Sequence, residues 1–457
     1  MAQQTLYIGS KIKKLRRDKN INQKNLALEL GISASYLNLI ERNRRGLTVS
    51  LLLKLADIFN IDVSELSQNA DTQLSNDLME LLGNDMFADI GITNQDITDL
   101  TIENPEIGKA FIRLYDKYNI GLKKYQNAIE QFANGEGIDA NKLGNENSVE
   151  YMSELISDFI QQNSNYFPSL ELAAERVRLD IDLMGEGLFQ GLKAFANNSF
   201  SLRILTSDLP NDESYKFDRE IGLLNISSFL DNQSSIFCLA EHIGIYAAKN
   251  EIDDIIEKAD FEDEHINDYL EQTLSRYFAA AIMMPYDDFL ARAKETRYDI
   301  DLLSHTFNAS FEQVCHRLTS LQKPGAKAIP FHFVRTDIAG HISKRFSLSG
   351  IKIPRYGTAC PRWNIYAAFM QPGKINVQIS ETPDGQTYFC IARTITKGVR
   401  RYGKPLRHFS IGLGCKYMHA KSMIYSDSVN LKDTSQIVRI GATCPICQRY
   451  DCTEHKV

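Results

Sequence analysis

Two short helical patterns pivot on one glycine in INQKNLALELGISASYLNLIERNRR, and this stretch constrains the fold more than any other. Asn22 is placed to cap a helix from Gln23 to Leu30, and Gly31 closes it, because a residue without Cβ enters the left-handed conformation at little cost. Ser33 caps the next helix, Ala34–Arg42. Leu26, Leu37 and Ile40 face inward, while Ser33, Ala34, Ser35, Tyr36 and Asn38 lie on the early outward face. Such a pair is a helix-turn-helix, whose second helix enters the major groove of double-stranded DNA and puts its first residues at base edges. Gln23, at a helix start, and Arg42, Arg44 and Arg45 are then placed for phosphates. The plainer alternative is a helical protein-interaction module.

The chain of 457 residues is too long for one ordinary core. With 43% hydrophobic and 24% charged residues it reads as globular, and the start lacks the apolar core of a signal peptide. No run of about 18 apolar residues marks a membrane span. These features imply a cytoplasmic protein without a membrane partner. The net charge of −7 conceals segments: residues 1–67 carry eleven Lys/Arg against six Asp/Glu, 68–150 six against fifteen, and 323–457 twenty-one against seven. The two basic ends suggest anionic partners there, the bland reading being charged surface.

Residues 68–104 read as a polar, acidic linker with short helices. In NPEIGKAFIRLYDKYNIGLKKYQNAIEQFANG, Ile107, Phe111, Leu114 and Tyr118 recur at helical spacing. Helices resume at 149–163 and 169–196, SLRILTS is a strand candidate, and three helices follow residue 262. IFCLAEHIGIYAAK resembles the helix of the ImmA/IrrE metallopeptidase-like domain, which carries H-E-x-x-H. Here Glu241, His242 and Ile245 stand at the three motif positions. One ligand position is Glu and the other Ile, so the facial zinc site is lost and no enzyme is expected.

RYFAAAIMMPYDDFL, RYDIDLL, FEQVCHRLTSLQKPG, FHFVRTDIAGHISKRFS, ACPRWN and PDGQTYFCIART resemble the short-chain fatty-acyl transcriptional regulators, which join an Xre helix-turn-helix to an ImmA/IrrE-like segment and a C-terminal effector region. The resemblance implies control of the glyoxylate bypass, the methylcitrate cycle or related acyl metabolism, with an acyl-CoA as effector and an iron–sulfur cluster in some members. Coenzyme A carries several phosphate charges, for which Arg335, Lys344, Arg345 and Arg355 are the candidate donors.

The tail ATCPICQRYDCTEHKV puts Cys444, Cys447 and Cys452 on one short loop, and Cys-x-x-Cys brings two sulfurs to one metal centre. With His455 as fourth ligand the site is a local zinc site. With Cys360 it is all thiolate and suits a 4Fe–4S cluster. The family resemblance includes a Cys-Pro-x-Trp element at Cys360, which favours the cluster. Cys390 and Cys415 are the runner-up ligands.

The expected architecture is mainly α in the N-terminal and middle regions with a mixed α/β C-terminal domain. Residues 1–67 are the Xre-type helix-turn-helix, 68–148 an acidic helical linker for dimerisation, 149–322 a degenerate ImmA/IrrE-like domain, and 323–457 a basic effector domain ending in the cysteine cluster. The function expected is a homodimeric, operator-binding regulator that senses an acyl-CoA. The alternatives are a DNA-tethered zinc metallopeptidase acting on a repressor and a zinc-braced repressor without a small ligand.

Overall fold

The computed structural model describes residues 9–19, 21–41, 45–59, 72–83, 85–87, 90, 92, 94–133, 152–182, 187–210, 213–355, 359–398 and 406–441, with 447, 449 and 452 in the tail. Its contacts divide the chain into two compact units, residues 1–125 and 126–457. No described helix is long and apolar enough to cross a membrane.

The first unit opens with α1 (Gly9–Asp18), α2 (Gln23–Leu30), α3 (Ala34–Glu41) and α4 (Val49–Phe59). Ile12, Leu26, Leu30, Leu37, Ile40, Leu55 and Phe59 form their common core. The capping chemistry is local. Asn22 Oδ1 accepts from the Asn25 N–H at 2.8 Å, Gly31 is left-handed with φ 71°, and Ser33 Oγ accepts from the Tyr36 N–H at 3.1 Å. Within the acidic segment α5 (Thr72–Leu82), α6 (Asn94–Glu103) and α7 (Pro105–Ala133) follow. Pro105 begins α7, where its missing N–H costs nothing. A Cβ at Gly108 would stand 2.9 Å from Leu78 Cδ1, so glycine lets α7 lie close against α5.

In the second unit a helix over residues 152–162 precedes α8 (Pro168–Asp182) and α9 (Leu188–Phe200). A small sheet follows, β1 (Arg203–Ser207), β2 (Tyr215–Asp218) and β3 (Leu223–Ser227), in order β1-β3-β2 with β1 parallel to β3. SLRILTS supplies β1; β2 and β3 have no strand signal in the reading above. Then come α10 (Asn232–Ala247), α11 (Lys249–Ala259) and α12 (Glu264–Met283). After α12 stand α13 (Tyr286–Glu295), α14 (Ile300–Thr306) and α15 (Phe311–Thr319), so four helices occupy the stretch read as three. Arg317 locks this body together. Its guanidinium is fork-on-fork with Glu171 of α8 at 2.6 and 2.9 Å, and its Nε donates to the Met284 carbonyl at 3.0 Å. Tyr277 of α12 donates to the same Glu171 carboxylate at 2.5 Å.

The C-terminal sheet runs β5-β4-β8-β7-β6-β9, with β4 (His332–Asp337), β5 (Ile342–Ser347), β6 (Asn376–Glu381), β7 (Thr387–Lys397), β8 (Arg407–Lys416) and β9 (Ile437–Arg439). Neighbours are antiparallel except β9, which is parallel to β6. One face carries Phe333, Phe389, Ile391, Ile411, Leu413 and Cys415 into the same core as the helices. The other carries Val334, Tyr388, Cys390 and Ala392 against Cys360, Trp363 and Ile365. The break placed at 322–323 from sequence thus falls on a connection crossed by one continuous core. RYDIDLL acts here too: Arg297 binds Asp427 at 2.7 and 2.9 Å and the Lys421 and Met423 carbonyls at 3.1 and 3.3 Å.

Two β8 glycines admit the second layer. A Cβ at Gly412 would meet Ile365 Cγ2 at 2.7 Å and Val334 Cγ1 at 2.8 Å; one at Gly414 would meet the His332 ring at 2.5 Å and the Phe389 carbonyl oxygen at 2.8 Å. The carbonyl belongs to the neighbouring strand and cannot move without breaking the ladder. Gly414→Ala is therefore expected to cost about 1–3 kcal/mol, measured by urea denaturation. A midpoint equal to that of the parent protein would contradict this packing.

Candidate functional site

The outward edge of α3 is built as the sequence pattern requires. Leu37 and Ile40 are buried; Ser33 and Ser35 are exposed; Ala34, Tyr36 and Asn38 are half-buried. The Arg45 guanidinium lies 5.3 Å from the Tyr36 ring centre, so both stand beside this edge. Gln23 is placed differently from the expectation of a phosphate contact. Its Nε2 donates to Glu41 Oε2 at 2.9 Å, and buried Glu41 also receives Arg16 at 2.7 and 3.2 Å. The side chain of Gln23 joins α2 to α1 and α3 through Glu41. Arg42 and Arg44 lie outside the described residues.

On α10 the degenerate motif is occupied by structural contacts. Glu241 Oε1 accepts from Arg276 Nε of α12 at 2.9 Å. The His242 Nδ1 lies 2.7 Å from the Cys238 carbonyl oxygen, and its ring meets Tyr215 and Phe217 with centroids 4.6 and 4.9 Å away. Burial lowers the His242 pKa and favours the neutral ring. Ile245 has no donor atom. Among the described residues no group of three or more His, Cys, Asp or Glu side chains is arranged to hold a metal. Cys315 is a fully buried core residue, and half-buried His316 packs edge-on to Phe333 at 5.5 Å, with desolvation holding its pKa down at about 3.

The four basic residues expected to meet coenzyme A separate into two groups. Arg345 and Arg355 are mostly buried and hold the 152–162 helix to the sheet. Arg345 lies 2.5 Å from Glu154, and Arg355 lies 2.8 Å from Asp158. They serve the fold. Arg335 and Lys344 instead converge with Lys397 on one carboxylate, that of Glu312 at the start of α15, at 2.9, 3.5 and 2.5 Å. Three cations thus share one buried anion, while the Lys344 and Lys397 side chains remain 43% and 42% exposed. The charge of Arg276, itself paired with Glu241, also reaches Lys344. Lys397, Glu312 and Arg276 were missed in the sequence because they come from three distant elements with no shared motif.

Cys360 is buried and packs with Trp363, Tyr388, Cys390 and Ile440. The tail is tied down beside it. The Ile440 N–H donates to the Glu381 carbonyl at 2.9 Å, and Arg449 donates to the Glu381 and Ile440 carbonyls at 2.8 and 3.1 Å. Cys447 and Cys452 flank Arg449 and are half-buried. Cys444 and His455 lie outside the described residues. The runner-up thiols are core groups: Cys390 lies 3.5 Å from His332 Nε2 with burial pushing its pKa to about 12, and Cys415 packs 3.7 Å from Met423 Sδ.

Three family models match in succession: a helix-turn-helix over residues 12–66, an IrrE N-terminal-like domain over 197–319, and the C-terminal domain of short-chain fatty acyl coenzyme A regulators over 320–456. The HTH-type transcriptional regulator RamB of Mycobacterium tuberculosis is 33% identical over 453 residues, 98% of this chain and 94% of its own. PrpR of the same organism is 32% identical over 98% of this chain and 91% of its own. The propionyl-CoA carboxylase regulator of Cereibacter sphaeroides is 32% identical over 99% and 95%. A solved Mycobacterium tuberculosis transcriptional regulator superposes with a TM-score of 0.63 at 35% identity, covering 67% of this chain and 93% of that one.

The Glu312 cluster has a pH signature. Burial alone would raise the Glu312 pKa; Lys344, Lys397 and Arg335 outweigh it and hold the group at about 2 against an ordinary 4.5. A carboxylate depressed in the folded state stabilises the fold above its unfolded pKa and loses that stabilisation as pH falls through the folded one. The displacement is worth about 3 kcal/mol. The stability gap between the parent and Glu312→Gln should therefore shrink from pH 5 to pH 2 in urea titrations. A gap independent of pH over that range would refute the ion cluster.

Proposed function

Since this chain belongs to the family of helix-turn-helix transcriptional regulators that carry a short-chain fatty acyl coenzyme A regulator domain, we propose that it binds operator DNA through α3 and that an acyl coenzyme A changes this binding. The observation that carries the reading is the pairing of two features in one chain: a capped α3 with an outward polar edge, and a cation-rich face of the C-terminal sheet gathered on Glu312. Ser35 and Asn38 read base edges, and Arg45 meets phosphate. Two copies read two half-sites. Arg335, Lys344, Lys397 and Arg276 receive the phosphates of coenzyme A, with Arg supplying fork-shaped donors and Lys point charges. The α10 region serves as scaffold, without peptidase chemistry, because Glu241 is neutralised by an arginine and Ile245 cannot ligate zinc.

Binding of the effector must differ between DNA-competent and incompetent states for regulation to follow. Titration of operator DNA with the full chain, with and without acetyl- and propionyl-CoA, is expected to show an affinity shift. Lys344→Ala with Lys397→Ala should abolish that shift and leave ligand-free DNA affinity intact. Asn38→Ala should relax preference at one base position by about 1–3 kcal/mol, whereas Arg45→Ala should weaken all sequences and shallow the salt dependence. Operator affinity unchanged by either acyl-CoA would overturn the effector reading; unchanged preference in Asn38→Ala would overturn the placement of α3.

Cys360, Cys444, Cys447 and Cys452 are the proposed ligands of a 4Fe–4S cluster. The donor set is all thiolate, and the tail is fastened beside the apolar layer that buries Cys360. When bound, the cluster braces the C-terminal layer and can report redox state. Anaerobically purified protein should be brown, Cys360→Ala should bleach it, and His455→Ala should change little. Colourless protein holding stoichiometric zinc, lost with His455→Ala and indifferent to Cys360→Ala, would replace the cluster by the zinc site.

A further inference from the structure

The face of α7 turned away from α5 carries an apolar stripe. Ile107, Phe111, Leu114 and Tyr118 are 51%, 43%, 65% and 44% exposed, while Gly108 and Ile112 on the opposite face are buried against the preceding helices. Steps of four, three and four residues keep these side chains in one line on a helix of 29 residues. This is the a/d spacing of a coiled-coil seam. In sequence the same spacing continues through Gly121, Tyr125, Ala128 and Phe132. We propose that two copies of this chain pair through this face of α7.

A second copy fits better than another partner for three reasons. A heptad seam is complementary to itself, so an identical helix supplies the matching knobs and holes. The four exposed side chains offer on the order of 400 Å² per copy, taking about 200 Å² for a large side chain in full. That is about half of what one partner contributes to a standard interface, and it already matches the largest apolar patch a typical monomer leaves open. The stripe also belongs to the compact unit that contains α3. Pairing there would set the separation of two recognition helices, which reading two half-sites demands. This inference rests on the operator-binding reading above.

The test is the mass of the full chain by light scattering, alone and on operator DNA. The parent protein is expected to be dimeric at micromolar concentration. Leu114→Glu and Ile107→Glu should each give monomer, because a carboxylate at the seam would be buried unpaired, and should lower affinity for a two-half-site operator at least tenfold while single half-site binding is kept. Both residues are half or more exposed, so melting temperature and helical signal should match the parent. Leu28→Glu, at an 82% exposed position of α2, should leave the mass unchanged. A dimeric Leu114→Glu protein would sink the α7 interface while leaving the two-half-site reading standing. A parent protein that is monomeric both free and on DNA would sink both.

Discussion

Arg317 has 1% of its side chain exposed, and the second unit is organised by the need to neutralise it. Taking a guanidinium and a carboxylate out of water costs several kcal/mol for each ion, which only close, multiply bonded geometry offsets. Glu171 meets that condition with two bonds to Arg317 and a third from Tyr277, while Arg317 Nε donates to the Met284 carbonyl and Nη1 also to the Ser320 hydroxyl. Removing one partner would leave an uncompensated buried charge, at about 3–5 kcal/mol. The constraint fixes α8, α12 and α15 in one register. It also fixes the approach of α10, because Gly244 lies against Phe278 of α12 with room for no larger residue: a Cβ there would stand 2.8 Å from the ring. β4 begins thirteen residues after α15 ends, so the sheet inherits the same frame and shares its core.

That frame is a peptidase frame with its charge logic rewritten. A catalytic zinc needs three protein ligands and an open position to polarise a carbonyl or activate water. Here the positive charge next to Glu241 is Arg276, covalently attached and without a vacant coordination site. His242 is turned to its own helix and covered by Tyr215 and Phe217. Glu241 and His242 are thus both engaged in contacts within the fold.

Local chemistry was legible in the sequence and long-range pairing was not. The Asn22, Gly31 and Ser33 caps involve groups three or four residues apart, and each stands where the spacing implied. The β6, β7 and β8 segments read as strands because apolar and β-branched residues run through them; both faces are covered, so alternation is between two cores rather than between core and water. The amide of Gln23 looked outward because its acceptor, Glu41, is eighteen positions away on another helix. The hairpin of β4 and β5 was visible only as a motif, since SKRFS reads as a basic patch until Glu154 and Glu312 are brought to it. The dense cation content of that segment concealed which arginines were already committed.

The same pairing revises the meaning of the segmental charge. Residues 323–457 hold twenty-one Lys/Arg against seven Asp/Glu, a surplus of fourteen that in sequence suggests an anionic partner. Part of it is answered within the chain by acids from the preceding segment: Arg345 and Arg355 by Glu154 and Asp158, and Arg393 by Asp301. The asymmetry between segments is in this respect how the sheet and the helical body recognise each other. Around Glu312 the balance fails to close, with Arg335, Lys344 and Lys397 facing one carboxylate. A surplus of two positive charges held on rigid elements is costly to leave bare and favourable to cover with phosphate. An anionic ligand that binds there relieves the repulsion among cations the fold has already brought together, so part of its binding energy is stored in the ligand-free protein.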